Sequence, residues 1–257
     1  MTVTPCSLKI RPATRQILRP RDAASLLLID RSSYKPRILM GQRNKNLAFM
    51  PGKFVFPGGS TDLVDGSVVS AGELTLDDTQ KLLLGMGARA STRRARALGL
   101  CAIRETFEET GLRVAMPVRS AQDAASPRYE PLHGDWQAFV KTGHLPALGS
   151  LRYFARAITP PGNIRRFDAR FFIAFCDSVP QLDPQQLQSG AQMAGGELEN
   201  LDWVFLEDVA KLDTARITRT ILKDAQNLLA DTRFDLPATL PVVQYSMRHG
   251  RYARDVI

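Results

Sequence analysis

The chain is poor in the residues that build thiol and histidine sites. Among its 257 residues are three cysteines and three histidines. The cysteines are widely separated, at Cys6, Cys101 and Cys176. No C-x-x-C pair occurs, so a disulfide framework or a zinc site has little support, and a reducing, cytoplasmic compartment is expected. The histidines show no ligand spacing, at His133, His144 and His249.

Long apolar runs and several catalytic motifs are also missing. No run of about 18 apolar residues occurs, so no membrane span is expected. No serine-based catalytic motif is present, and the glycines at 58 and 59 lack the Gly-Lys-Ser/Thr of a Walker loop. The start of the chain is basic up to Asp22 and has no apolar signal core, which favours a basic lead-in over residues 1–22 rather than a transit peptide.

The charge balance favours anionic partners. The formal net charge is +8 and the pI is near 9.7. Such a chain attracts phosphates, nucleic acid or acidic membrane surfaces, and net charge alone does not choose among them. A solvated basic surface is the alternative interpretation.

Strand patterns open the chain and return after its middle. Short apolar segments bounded by polar or turn residues predict strands, the first two as a hairpin. These segments are 23–30, 36–41, 53–56, 152–159, 166–175 and 201–206.

Helix patterns lie between and after these strands, at 76–84, 92–110, 207–212 and 217–230. Gly111 is placed to end the second helix. Too few helices separate the strands for a repeating βαβ array, so the order predicts an α/β sandwich with helices packed on a mixed sheet. We expect a single domain over 23–257, with inserts at about 60–90 and 118–149.

The helix over 92–110 ends in a cluster of acids. With Glu105 at zero, Glu108 falls near 300° and Glu109 near 40°, so the three carboxylates share an arc of about 100°. Carboxylates this close raise one another's pKa, and a divalent cation would remove that penalty. Mg²⁺ prefers oxygen ligands, including one or two carboxylates and substrate phosphates. A solvated acidic face is the alternative for these three residues alone.

The string Arg104–Leu112, R-E-T-F-E-E-T-G-L, resembles the core of the Nudix box, R-E-U-x-E-E-x-G-U, where U is apolar. Thr106 departs from the pattern at an aliphatic position. Upstream, F-P-G-G at 56–59 resembles the turn that opens the box, and downstream Glu197 precedes Trp203 by six residues. The resemblance implies a Nudix-like α/β/α sandwich that hydrolyses a pyrophosphate bond in a nucleoside diphosphate linked to another group.

The spacing departs from the usual box. Gly59 precedes Arg104 by 45 residues rather than 14, so about 31 extra residues lie inside the box. The glutamate of the usual spacer has no clear counterpart, since Arg96 stands at the matching position. An insert at this point resembles the branch that includes mammalian peroxisomal coenzyme A diphosphatases, although Ala48 replaces an arginine of the coenzyme A signature. Coenzyme A or acyl-coenzyme A is therefore the favoured substrate, with ADP-ribose or NADH next.

The resemblance also implies roles for individual residues. Mg²⁺ or Mn²⁺ would be held by Glu105, Glu108 and Glu109, with the carbonyl of Gly59. Glu105 would be a ligand or the base, and Glu197 a further catalytic acid, with Glu199 as its rival. Arg104 can neutralise or orient one acid.

Arginines and glycines near the sheet edge are candidates for binding the substrate's phosphates, namely Arg43, Gly58, Arg156, Arg166 and Arg170. Strand alternation puts Arg170 on the same face as Asp168 and Phe172. A guanidinium there could pair with phosphate through its planar fork. A structural pair between Arg170 and Asp168 is the equal alternative.

Three functions remain in competition. The first is a metal-dependent pyrophosphohydrolase with a small-molecule nucleotide substrate, no membrane partner and possible homodimerisation. The second is an inactive nucleotide sensor on the same fold, which would have no need of three clustered acids. The third is an RNA-decapping type of enzyme; the charge motivates it, but no aromatic-basic RNA motif supports it, so a nucleic-acid partner is not expected.

Overall fold

A computed structural model of the chain describes residues 18–47, 49–118, 134–141, 143–180, 182–187, 197–248 and 250–257. Residues 1–17 of the predicted lead-in and residues 119–133 of the predicted second insert lie outside these ranges, as do Ala48 and two of the three histidines.

The strands of the described residues form one mixed sheet and one small pair. They are β1 (Arg21–Asp30), β2 (Arg37–Arg43), β3 (Phe54–Val55), β4 (Gly58–Ser60), β5 (Ala115–Pro117), β6 (His144–Pro146), β7 (Arg152–Ile158), β8 (Phe167–Phe175), β9 (Leu198–Phe205), β10 (Val243–Arg248) and β11 (Arg251–Val256). The main sheet, as far as the chain is described, has nine strands with the path β11-β10-β7-β8-β1-β2-β3, while β4 pairs with β1 and β9 with β2. β5 and β6 pair separately.

The pairing confirms a mixed sheet. β1 runs parallel to β8, and β7 runs parallel to β10. The other pairs are antiparallel, including the predicted β1–β2 hairpin, in which Ile29 faces Ile38. β4 lies beside the first half of β1, where Gly59 pairs with Ala24.

Four helices cover the two faces of this sheet in the described ranges: α1 (Leu76–Leu84), α2 (Thr92–Thr110), α3 (Asp135–Val140) and α4 (Arg216–Asp231). One core joins alternate β1 residues such as Leu26 to α2 and α3. The other joins their neighbours, such as Leu27, to α4. Period-two alternation therefore sends successive side chains into different cores, and the predicted α/β/α sandwich is confirmed.

The ends of α2 follow local signals. The hydroxyl of Ser91 accepts a hydrogen bond from the backbone N–H of Arg94, and Gly111 has the left-handed φ of 76° that ends many helices. Thr106, which stands where the motif usually has an aliphatic residue, is fully buried, and its hydroxyl donates to the carbonyl of Ala102 at 2.7 Å. This bond satisfies the hydroxyl where an aliphatic side chain would otherwise lie.

Two parts of the sequence prediction differ from the structure. The segment 207–212 forms a 3-10 turn over Val209–Lys211 rather than an α-helix. The C-terminal tail forms the β10–β11 hairpin, which was not predicted. Its outer strand is largely exposed and carries Arg251 and Arg254, so its polar sequence hid the strand pattern.

Candidate metal and phosphate site

The two glycines that begin β4, Gly58 and Gly59, lie directly against the acidic end of α2. A Cβ atom on Gly58 would overlap the backbone of Ala24 and Ser25. One on Gly59 would lie 2.5 Å from the carboxylate of Glu105. Glycine at these two positions therefore lets β1, β4 and α2 approach more closely than any side chain would allow.

Two of the helix acids, Glu105 and Glu109, lie at this contact, and Arg104 joins Glu108 to Glu105. Glu109 accepts a hydrogen bond from the backbone N–H of Gly58 at 2.9 Å. The Nη1 atom of Arg104 donates to Glu105 at 2.9 Å and to Glu108 at 2.8 Å. The acidic face thus lies against the sheet, whereas Phe107, on the opposite side of α2, contacts Phe139 of α3 edge to face. The acids are partly sheltered, rather than spread over an open surface.

The sheltered position changes the pKa of each acid. Burial raises the pKa of Glu108 to about 7, and Glu105 adds to this rise while Arg104 opposes it. Burial also raises the pKa of Glu105, again against the effect of Arg104. The pKa of Glu109 lies well above its ordinary value, because of burial and the nearby charge of Glu105. Ionising all three acids is therefore unfavourable in the protein alone, and a nearby cation would favour their ionised forms.

Arg104 is itself held by a buried acid that the sequence reasoning missed. Asp65, fully buried in the 3-10 turn Asp65–Ser67, accepts from Nε of Arg104 at 2.9 Å and from Nη2 at 3.2 Å. The carbonyl of Ser60 accepts from the same Nη2 atom at 3.0 Å. Hydrogen bonding to Asp65 and the charge of Glu105 raise the pKa of Arg104 although burial opposes it.

The position of Asp65 along the chain was the signal that could have identified it. The spacing of the usual box puts its spacer glutamate at Arg96, which lies in the first half of α2. Asp65 instead follows Gly59 by six residues, on the near side of the extra segment. Arg96 has another task, since it pairs with Glu73 at 2.7 Å and donates to the carbonyl of Gly66 at 3.0 Å, bracing that segment against α2.

The predicted acids at the start of β9, Glu197 just before the strand and Glu199 within it, lie at the other side of the site. Glu197 pairs with Nη2 of Arg43 at 3.1 Å, and its charge contributes to the raised pKa of both Glu105 and Glu109. Its rival Glu199 accepts a hydrogen bond from the side-chain amide of Asn44 at 2.6 Å. The structure thus brings Glu197 and Arg43 into electrostatic range of the helix acids.

The three arginines of β7, β8 and their turn are engaged elsewhere. Arg170 is 1% exposed and pairs with Asp22 and Asp168, each at 3.0 Å. Arg156 forms two hydrogen bonds of 2.7 Å to Asp168. Arg166 donates to the backbone carbonyls of Thr159 and Leu18.

Arg170 does lie on the predicted face with Phe172, but it makes the structural pair that was the alternative interpretation. In the described residues, none of the hydrogen bonds or ion pairs of Arg156, Arg166 and Arg170 joins them to a helix acid.

The donor set of the site fits a hard divalent cation. Its groups are carboxylate oxygens and the carbonyl of Gly59, which lies 3.5 Å from the thiol of Cys101. Oxygen ligands of this kind suit Mg²⁺ or Mn²⁺. Across the described ranges, no three acidic, histidine or cysteine side chains already converge as a complete metal site. The carboxylates are instead bonded to Arg104 and Gly58, so ligation would exchange these bonds.

Comparison with known proteins places these features in a wider group. No protein-family model matches the chain. A chicken (Gallus gallus) protein named acyl-coenzyme A diphosphatase NUDT19 is 29% identical over 223 residues, covering 65% of this chain and 58% of that protein. The Homo sapiens protein of the same name is 28% identical over 189 residues, covering 58% and 50%. The chain thus matches between half and three fifths of the length of these relatives.

A solved structure supports the same grouping. The crystal structure of a Nudix hydrolase from Alicyclobacillus acidocaldarius has a TM-score of 0.55 and 27% sequence identity, and the match covers 80% of this chain and 90% of that one. In the described ranges, no helix is both long and apolar enough to cross a membrane. The shared fold, the glycine turn against the acidic helix and these relatives show that the chain has a Nudix-type fold and is similar to Nudix hydrolases.

Proposed function

We propose that the protein hydrolyses a pyrophosphate bond in a nucleoside diphosphate linked to another group. The observation that carries the proposal is the acid cluster itself. Glu105, Glu108 and Glu109 lie together against Gly58 and Gly59, and each has a raised pKa. Ionising three acids in this sheltered place is costly in the protein alone, and a bound divalent cation would compensate that cost.

Mg²⁺ or Mn²⁺ would be held by Glu105, Glu108 and Glu109, with the Gly59 carbonyl as a further ligand. When bound, such an ion neutralises charge on the phosphate oxygens and lowers the pKa of water. The chain's own residues would position the acids and accept a proton from the attacking water. Arg104 holds two of the acids through one nitrogen, and its bonds to Asp65 keep that nitrogen in place.

The chemical step is attack of a water oxygen on phosphorus, with cleavage of the bridging P–O bond and departure of the second phosphate. The attacking water must lose a proton, which a carboxylate at the site can accept. Glu105 and Glu197 are the candidates, since both belong to the same electrostatic cluster. Arg43, which pairs with Glu197, is placed to meet the anionic substrate.

The substrate class that we favour is coenzyme A or acyl-coenzyme A. Both curated relatives carry the name acyl-coenzyme A diphosphatase. The extra segment between Gly59 and Arg104 supports the same branch, while Ala48 departs from its signature. ADP-ribose and NADH are the next candidates. The retained acids argue against an inactive sensor, which would bind nucleotide without needing three clustered carboxylates.

A substrate panel tests this proposal. The full chain is incubated with Mg²⁺ or Mn²⁺ and each of coenzyme A, an acyl-coenzyme A, ADP-ribose, NADH, a dinucleoside polyphosphate and capped RNA, and products are measured by mass spectrometry. Cleavage of the coenzyme A pyrophosphate yields adenosine 3′,5′-bisphosphate and phosphopantetheine, so these two products are expected in equal amounts. Faster cleavage of ADP-ribose would overturn the substrate class. Cleavage of capped RNA alone would favour decapping, and nucleotide binding without turnover would favour a sensor.

A further inference from the structure

The second extra segment of the chain contacts the acid that holds Arg104. Trp136 of α3 is 1% exposed, and its indole N–H donates to Oδ1 of Asp65 at 2.8 Å. Asp65 lies before α1, and Trp136 follows α2 by a long segment. Two segments that are remote in sequence therefore meet at one buried carboxylate beside the acidic helix.

Every acceptor position of this carboxylate is used. Oδ1 accepts from Trp136 and from Nε of Arg104, while Oδ2 accepts from Nη2 of Arg104 and from the backbone N–H of Asp62 at 2.7 Å. A buried carboxylate bonded on both oxygens has little freedom to rotate. The orientation of the Arg104 fork is set by this carboxylate.

Another aromatic residue of α3 packs between the indole and α2. The ring of Phe139 lies 5.4 Å from that of Trp136 and 5.2 Å from that of Phe107 on α2, both edge to face. The first residue of α3, Asp135, contributes to the raised pKa of Glu108. The start of α3 therefore lies beside the acid cluster, and its packing on α2 does not depend on the indole N–H alone.

We propose that Trp136 is a positioning residue of the active site, whose indole N–H sets the Asp65–Arg104 pair and through it the carboxylates of Glu105 and Glu108. The inference rests on the proposed function, since it assigns to those carboxylates the binding of a divalent cation. It gives the segment around α3 a task in catalysis, in addition to its contribution to the core.

The test separates the hydrogen bond from the packing. Trp136→Phe removes the N–H and keeps an aromatic ring, whereas Phe139→Leu removes the ring contacts and keeps the N–H. Mn²⁺ binding without substrate is measured by calorimetry, together with kcat, KM and the melting temperature. We expect Trp136→Phe to weaken Mn²⁺ binding about tenfold, the lower end of the effect of outer partners of metal ligands, and to lower kcat more than it changes KM. Phe139→Leu should lower the melting temperature with Mn²⁺ affinity kept within about twofold of wild type.

The outcomes distinguish this inference from the proposed function. Absence of Mn²⁺ binding and hydrolysis in the wild-type chain overturns the proposed function. Binding in the wild type with equal affinity in Trp136→Phe, or equal losses in both variants, overturns the role of Trp136 alone.

A spectroscopic measurement keeps the inference testable should Trp136→Phe not fold. In a Trp203→Phe background, the indole N–H of Trp136 gives a single NMR resonance, because the chain has two tryptophans. We expect this resonance to move when Asp65→Asn or Arg104→Lys is added and to stay unchanged when the remote Glu207→Gln is added. A resonance that ignores both of the first two changes would show that no such coupling exists.

Discussion

Two charged clusters lie on the same side of the sheet, and they are balanced in opposite ways. The acid cluster on α2 has three carboxylates with raised pKa values. The second cluster joins Asp22 and Asp168 to three arginines, Arg94, Arg156 and Arg170. There the pKa of Asp22 is lowered, because its two arginine partners outweigh the effect of burial.

The difference teaches which charges stabilise the fold and which are available for chemistry. In the arginine cluster each acid has cationic partners at hydrogen-bond distance, so the opposite charges neutralise one another. Beside the acid cluster, Arg104 is shared among Asp65, Glu105 and Glu108. In the described part of the chain, Glu109 accepts a hydrogen bond from the backbone N–H of Gly58 and is influenced by the charge of Arg43. Buried acids with raised pKa values are typical of a functional site.

The largest expected effect breaks the balanced cluster. Asp168→Asn removes the acid shared by Arg156 and Arg170, leaving a buried guanidinium short of a partner. We expect a loss of about 3 kcal/mol of unfolding free energy, the lower end for a broken buried pair because Arg170 keeps Asp22. Thermal unfolding should shift by roughly 6–12 °C. The matched control Asp208→Asn, in an exposed pair with Lys211, should stay within about 0.5 kcal/mol of wild type. Equal stability of both variants would show that the buried arginine cluster stabilises the fold no more than an exposed ion pair does.

The next effect concerns activity rather than stability. Glu109→Gln removes one charge from the crowded cluster, so the fold should survive with an unfolding free energy at or above that of wild type. Hydrolysis should fall by more than about 100-fold, beyond what the loss of an outer partner of a metal ligand costs. Initial rates with Mn²⁺ and circular dichroism check the two halves. Glu207→Gln, on the exposed surface, is the matched control. Near-normal turnover in Glu109→Gln would refute its role as a metal ligand.

A smaller effect is the pH dependence of the metal-free protein. Burial raises the pKa of Glu108 from 4.5 to about 7. A carboxyl with a raised folded pKa binds its proton more tightly in the folded state, so its contribution to stability is complete below pH 4.5 and is lost as pH rises through 7. We therefore expect the melting temperature to fall between about pH 5 and pH 8.

A variant of Glu108 is the control for this thermal unfolding series. Glu108→Gln should flatten the profile, since glutamine does not titrate. Asp22 acts in the opposite sense, but its lowered pKa confines that effect to pH below its ordinary value of 3.8. A melting temperature that rises from pH 5 to pH 8 would contradict the raised pKa values.

The sequence predicted what depends on neighbours along the chain. α1 and α2 have the predicted bounds, because capping residues, glycine stops and periodicity are local signals. The acids of α2 share one side for the same reason. The glycine turn at 56–59 was predicted from its motif, and in the structure Glu105 and Glu109 lie against it.

Contacts between remote segments could not be predicted in this way. Asp65 and Trp136 are 71 residues apart, and nothing in the local pattern of either indicates that they meet. Arg170 was assigned the correct face of β8, but its partner Asp22 belongs to β1, and only the parallel pairing of these strands brings them together. The β10–β11 hairpin was missed because its outer strand is largely exposed and lacks an apolar alternation.

The most direct test of the account is calorimetric titration of Mn²⁺ into the full chain without substrate, at about pH 7.5, where the raised pKa of Glu108 still allows ionisation. We expect saturable binding to wild type and to Asp168→Asn, and affinity at least about 100-fold weaker in the Glu108→Gln and Glu109→Gln double variant. Equal binding by wild type and the double variant would show that the acidic end of α2 does not hold the metal.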